Sequence, residues 1–204
     1  MGLWRAHVVP RLVDKGLDIP QVRQLRDQVC SSLAGEVMEI GFGSGLNAAH
    51  YPPEVEEVCA VEPSDVGWRL AEQRLRSAGV PVQRSGLDGQ ALPFPAATFD
   101  TALSTFTLCT IPDVAAALRE VRRVLRPGGT LHLVEHGRAP DEEVVRWQTR
   151  LEPIQKRIAG GCHLSRPVDE LLTAAGFDVL RLDRSYLPKE PRVFGALYEG
   201  VAAG

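Results

Sequence analysis

Lysine is scarce in this chain: it occurs only at Lys15, Lys156 and Lys189, and the other basic residues are arginine. The formal net charge is -3, so the sequence carries no basic field of the kind that holds a nucleic acid, and no nucleic-acid partner is expected. No apolar run approaches the roughly twenty residues that a membrane-spanning helix needs, so no transmembrane segment is expected. The N-terminus interrupts its apolar residues, among them Leu3 and Trp4, with Arg5, His7, Arg11 and Lys15, which leaves no signal-peptide core. Four cysteines (Cys30, Cys59, Cys109 and Cys162) are scattered without a C-x-x-C pair. That spacing gives no disulfide framework and suggests no metal site, and it fits a reducing, cytoplasmic setting. Internal repeats, low-complexity tracts and linkers are missing too, so residues 1–204 read as a single domain.

What is present is concentrated between Glu36 and Glu62. Val37-Met38-Glu39-Ile40 reads as an apolar strand, Gly41-Phe42-Gly43-Ser44-Gly45 as a glycine turn, followed by a short helix and a second strand from Val58 to Val61. Glycines at alternate positions let a ligand lie against bare backbone, because no Cβ intervenes. A glycine loop of this kind usually suggests a pyrophosphate. Two features oppose that: the spacing is G-x-G-x-G, not G-x-G-x-x-G, and Glu39 precedes the first glycine by two residues. A carboxylate there repels a diphosphate and suits an ammonium or a sulfonium. Glu62, followed by Pro63, closes the second strand where an α/β nucleotide site places an acid to accept both ribose hydroxyls. A zwitterionic amino acid joined to adenosine, with no phosphate, is S-adenosyl-L-methionine.

Further along, Ser64 or Asp65 caps a helix, and Val80 to Gln83 reads as the third strand. Asp88-Gly89 follows it and suits adenine: the carboxylate accepts the exocyclic amine, and the next N–H donates to a ring nitrogen, with Leu87 and Leu92 as walls. Phe99 to Ser104 reads as the fourth strand, and Ser104 and Thr105 at its carboxyl end should border the cofactor. A helix over 113–124 ends at Arg126-Pro127-Gly128-Gly129 with a glycine cap, and Thr130 to Glu135 forms the fifth strand. Helices over 140–158 and 168–175, a sixth strand from Phe177 to Leu182, and an alternating run from Val193 to Tyr198 complete the chain.

The E-x-G-x-G-x-G signature, the A-L-P-F-P-x-x-x-F-D segment and L-R-P-G-G resemble the class I S-adenosylmethionine-dependent methyltransferases of type 11, over residues 36–204. The resemblance implies an α/β, Rossmann-like class I methyltransferase fold: a seven-stranded, mostly parallel sheet with an antiparallel last strand and helices on both faces. Residues 1–35, with Val22, Leu25, Val29 and Leu33 on one helical face, would form an N-terminal helical lid over the cofactor cleft, bringing Trp4 and His7 near the substrate.

Within the family, G-x-G-x-N (Asn47) followed by Tyr51-Pro52-Pro53, then T-L-C-T, V-E-H and G-C-H-L-S-R, look like the thiol S-methyltransferase group. That implies a small-molecule methyl acceptor, a thiol in the first instance. The group carries an N-terminal hydrophobic anchor that these residues do not show, so membrane attachment is not expected. Phospholipid N-methyltransferases and quinone C-methyltransferases share most of these motifs. A nucleotide-dependent oxidoreductase and a catalytically inactive cofactor-binding module are the readings from other classes. His136, just past the fifth strand, is the candidate general base, with His163 second. Tyr51, Cys109, Cys162 and Arg166 are candidates for the pocket, and Asn47 for ordering the loop. The oligomeric state is left open.

Overall fold

Val37 and Met38 are adjacent in sequence and pack on opposite faces of a sheet, as the two-residue period of a strand requires. In the computed structural model, which describes residues 4–204 and leaves aside the side chains of Arg5 and Ala6, this strand is β1 (Gly35–Ile40). Leu3 lies outside the described residues. Around β1 stand β2 (Val55–Val61), β3 (Val82–Gly86), β4 (Phe99–Thr105), β5 (Leu125–His136), β6 (Asp178–Tyr186) and β7 (Ala196–Ala203). They form one seven-stranded sheet in the order β3-β2-β1-β4-β5-β7-β6. β1 to β5 pair in parallel, and β7 runs antiparallel to both β5 and β6.

Helices cover both faces. Met38, Ile40, Ala102, Leu131 and Leu133 pack with α4 (Val114–Val124) and α6 (Val168–Ala174). Val37, Val58, Leu103 and Val134 pack with α2 (Pro20–Cys30) on the other face. Each fully buried aliphatic side chain of this kind contributes about 1.5–3 kcal/mol. Preceding α2 are a π-helical turn over Trp4–Val8 and α1 (Val9–Leu17); α3 (Asp65–Leu75) follows β2 and α5 (Glu142–Ile158) follows β5. Ser64 caps α3 by accepting from Gly67 N at 3.1 Å, and Asp113 caps α4 by accepting from Ala116 N at 2.8 Å.

Three expectations shift. The glycine turn is not followed by a helix: residues 41–54 run as turns and bends, because Gly41, Gly43 and Gly45 all have positive φ (73°, 60° and 71°) and Pro52-Pro53 follow closely. α4 ends without a glycine cap, since Leu125 turns extended and pairs with Phe99; Gly128, at φ 82°, sits beyond, where the register of that pair shifts. The last strand begins at Ala196 instead of Val193, because Pro191 starts a single helical turn, α7 (Arg192–Gly195).

Candidate active site

β1 ends at Ile40 and the chain reverses through three glycines that do different work. A Cβ at Gly41 would lie 2.0 Å from Thr107 Oγ1, and one at Gly45 would lie 3.1 Å from Ala71 Cβ, so the chain's own packing demands both. At Gly43 the nearest atom would be Gly41 O at 3.9 Å, which leaves an open face of bare backbone. The underside of Gly43 is held by Glu62, whose Oε2 accepts from Gly43 N at 2.6 Å while Oε1 accepts from Ser64 N at 2.6 Å. Burial raises the Glu62 pKa, against the pull of these two donors. Pro63, between them, is exposed.

Glu39 points into the chain. It is 1% exposed, with Oε1 accepting from Asn47 Nδ2 at 2.9 Å and Oε2 from the Tyr51 hydroxyl. Burial pushes its carboxyl up to about 7, although Tyr51, Asn47 and Arg26 all favour the charged form. Asn47 Nδ2 also donates to Thr105 Oγ1 at 3.0 Å. Arg26, on α2, completes the network: its Nη1 donates to Asn47 Oδ1 at 2.6 Å and to Thr105 Oγ1 at 3.0 Å. Burial pulls the Arg26 pKa down, so removal from water outweighs attraction for both charges. Arg26 was not among the expected site residues. Its position was the signal: it lies four residues after Val22 and three before Val29, on the face that α2 buries. Sequence reasoning gave Glu39 to a cofactor ammonium; in the structure its oxygens are engaged by Asn47 and Tyr51 and tie the turn to β4 and α2.

Asp88 is exposed, and its Oδ1 closes its own turn by accepting from Gln90 N at 2.9 Å. A Cβ at Gly89 would meet Ile40 Cδ1 at 2.5 Å, so this loop runs hard against the end of β1. Leu87 is exposed beside Asp88, whereas Leu92 packs into the core. Ser104 is fully buried and turns away from the glycine turn, donating to Glu135 Oε1 at 2.7 Å.

The carboxyl edge of β4 and β5 assembles a second group. Cys109, His136 and Cys162 offer a nitrogen and two sulfurs that all lie within 4.8 Å of one another. The scattered spacing of the cysteines, which suggests no metal site, gave no hint of this: the fold brings two of them to one histidine. The hydrogen bond between the two thiols holds Cys162 below its ordinary value, with His136 adding to the effect, and drives Cys109 up. His136 stacks edge-on with Phe106, ring centroids 5.0 Å apart. Arg166, expected at a substrate acid or in solvent, is buried instead and donates to the carbonyls of Leu108 and Ile111. His163 Nδ1 pairs with Glu152 Oε1 at 3.2 Å.

The N-terminal segment is tied down at both ends. Asp14 pairs with Arg74 at 2.8 Å, and Arg74 Nη1 also donates to Ser44 O of the glycine turn at 2.8 Å. At its other end, Trp4 Nε1 donates to Ile158 O at 3.0 Å, at the close of α5 and four residues before Cys162. Both Trp4 and His7 are exposed.

The open face of Gly43, the buried acid beneath it and the lack of a helix start among the described residues of the turn suit a phosphate-free nucleoside. A diphosphate there would meet the buried Glu62 carboxylate. Comparison with known proteins agrees. A family model described as a methyltransferase domain matches residues 38–133. Thiol S-methyltransferase TMT1B of Homo sapiens is 31% identical over 188 residues, covering 85% of this chain and 76% of that protein. Phosphatidylethanolamine N-methyltransferase of Cereibacter sphaeroides is 32% identical over 104 residues, 50% of this chain and 51% of that protein. Among solved structures, an S-adenosylmethionine-dependent methyltransferase from Thermotoga maritima superposes with a TM-score of 0.66 at 22% identity, over 95% of this chain and 97% of that one, which shows the shared fold. The chain therefore belongs to the type-11 family of class I methyltransferases and is an S-adenosylmethionine-dependent methyltransferase.

Proposed function

We propose that this methyltransferase acts on a small, apolar thiol, with the cofactor along the 41–45 turn and the acceptor at the β4–β5 edge. Bound there, S-adenosylmethionine supplies a methyl group already activated on a sulfonium. The chain's part is to hold and orient. Glu62 keeps lone pairs free on each oxygen after its two backbone contacts, enough to accept ribose hydroxyls in bonds worth roughly 1.5–3 kcal/mol. The bare face of Gly43 admits the ligand to backbone contact. Asp88, with Gly89 beside it, takes the adenine edge. The segment from Trp4 to Asp14, fastened near the glycine turn at one end and near Cys162 at the other, serves as the lid. Lining an acceptor up with the methyl axis can supply several kcal/mol without further chemistry. A thiol of pKa ~8.5 needs little more, since a thiolate fraction already exists near neutrality.

One observation carries the thiol reading. The match to the human thiol S-methyltransferase covers 85% of the chain, whereas that to the phospholipid enzyme covers 50% and that to the quinone C-methyltransferase of Shewanella 54%. The roughly 31 residues left out (15% of 204) are fewer than the 34 of residues 137–170, so the longer match reaches into that region, one of those that shape an acceptor pocket. The test is a competition in one vessel, with labelled cofactor offered alkyl and aryl thiols, phosphatidylethanolamine vesicles and a reduced quinone. Label in the thiols is expected. Label in the lipid or the quinol, with the thiols left unmodified, would overturn the thiol assignment.

A further inference from the structure

Cys109 and Cys162 stand on loops and His136 ends β5, yet hydrogen bonds tie these three segments to each other before any ligand arrives. His163 N donates to Cys109 O at 2.8 Å, which locks the residue after Cys162 to the backbone of Cys109. Arg138 N donates to Arg166 O at 2.8 Å, and Gln148 binds both Gly137 O and Ala139 N at 3.0 Å, which fixes the chain leaving His136. Gly137 itself has no room for a side chain: a Cβ there would lie 2.7 Å from Arg166 O and 2.6 Å from the Tyr198 ring. The two cysteines are buried and His136 is half-buried.

Two sulfurs and one imidazole form a donor set suited to zinc. Bonds of about 2.3 Å to sulfur and about 2.0–2.1 Å to nitrogen place tetrahedral ligand atoms roughly 3.5–3.8 Å apart. The three atoms here already lie within 4.8 Å of one another, so small side-chain rotations reach that spacing. Two thiolates would balance the charge of a dication.

We propose that Cys109, His136 and Cys162 bind one zinc-class divalent cation and leave its fourth position open to the thiol acceptor. This rests on the thiol reading above and gives it a means of activation. On coordination the acceptor's sulfur displaces a bound water, an S–H bond breaks, a metal–sulfur bond forms, and the proton leaves to solvent. The acceptor is then held as a thiolate at neutral pH, beside the cofactor edge, with no oxidant or reductant needed. His136 acts as a ligand here and is relieved of the role of base.

Zinc alone, titrated into the metal-stripped full chain against a chromophoric chelator, tests the site. One equivalent is expected to bind, and the Cys109→Ser/Cys162→Ser double variant should bind more weakly by more than the roughly 10–100-fold that loss of an outer partner costs. Cys59→Ser, outside the cluster, should bind as the unaltered chain does. Cobalt(II) alone should give sulfur-to-metal charge-transfer absorption, and 2-mercaptoethanol should increase it by occupying the fourth position. S-adenosylhomocysteine binding, measured on the same samples, separates a misfolded variant and a failed methyltransferase reading from a failed metal site. If the double variant does not bind that nucleoside, His136→Ala replaces it, with the same loss of zinc expected. No stoichiometric zinc in the unaltered chain, equal affinity in the variants, or a cobalt spectrum blind to the thiol would each overturn the proposal.

Discussion

The glycine turn and the β4–β5 edge face each other across the carboxyl end of one sheet, but they are assembled in different ways. Glu39, Gly41, Gly43, Gly45, Asn47 and Tyr51 come from one strand and the turn that leaves it, and Arg26, Glu62, Arg74, Thr105 and Thr107 join them from elsewhere. Cys109 and Cys162 come from two loops and His136 from the end of β5, and each reaches the others only because β4, β5 and the segment after α5 are already in place. The first group is determined mostly by backbone, through positive φ and close approach. The second is determined by side chains meeting at a distance. A conformational demand leaves a mark in local sequence, as glycine does; a tertiary meeting of two cysteines and a histidine leaves none.

If the cofactor side is backbone held by a buried polar network, its weakest point is the residue that joins helix to turn. Arg26→Met should be the most damaging single change, with a loss of about 3–5 kcal/mol in urea unfolding, because Asn47 and Thr105 lose a charged donor and Glu39 stays buried without its cation. A loss below about 1 kcal/mol would show that the network is ornamental to the fold.

Next in size is a pH effect. Glu39 is raised to about 7 from an ordinary 4.5, so between those values the folded chain binds a proton that the unfolded chain has released. Its contribution is whole below about pH 4.5 and is lost as pH rises through about 7. The loss amounts to about 3 kcal/mol at 1.36 kcal/mol per unit. Glu39→Gln removes this dependence. Stability curves of the two proteins measured from pH 4.5 to 8 should diverge as pH rises, the variant becoming relatively more stable, and parallel curves would contradict the assignment.

The smallest effect on stability, and the sharpest test of the contrast, belongs to Gly43. With nothing in the chain near its missing Cβ, Gly43→Ala should cost only the left-handed backbone penalty of about 1–2 kcal/mol, while S-adenosylhomocysteine binding falls by a larger factor. Gly41→Ala, which drives a methyl into Thr107, should lose stability first. Equal losses at the two glycines would erase the distinction between packing glycine and ligand-facing glycine.

How much of this was legible follows the same division. The apolar run from Val37 to Ile40, the glycines, and the cap at Ser64 all report local backbone, and the sheet and its helices form close to where those signals lie. The helix expected after the turn does not form, because three positive φ values in five residues exhaust what an α-helix tolerates. Arg26 was hidden because an arginine on a helix is ordinarily solvated, and only its register with Val22 and Val29 placed it inside. Arg166 was misjudged for the same reason: its partners, the carbonyls of Leu108 and Ile111, lie more than fifty residues away in the chain.

Everything on the cofactor side depends on Glu62 as the seat of the ribose. Calorimetric titration of S-adenosylhomocysteine into the unaltered chain and into Glu62→Ala puts that to the question most directly. The expected result is clear binding to the first and an affinity lower by about one to two orders of magnitude in the second. Equal affinity in the two proteins would contradict the account.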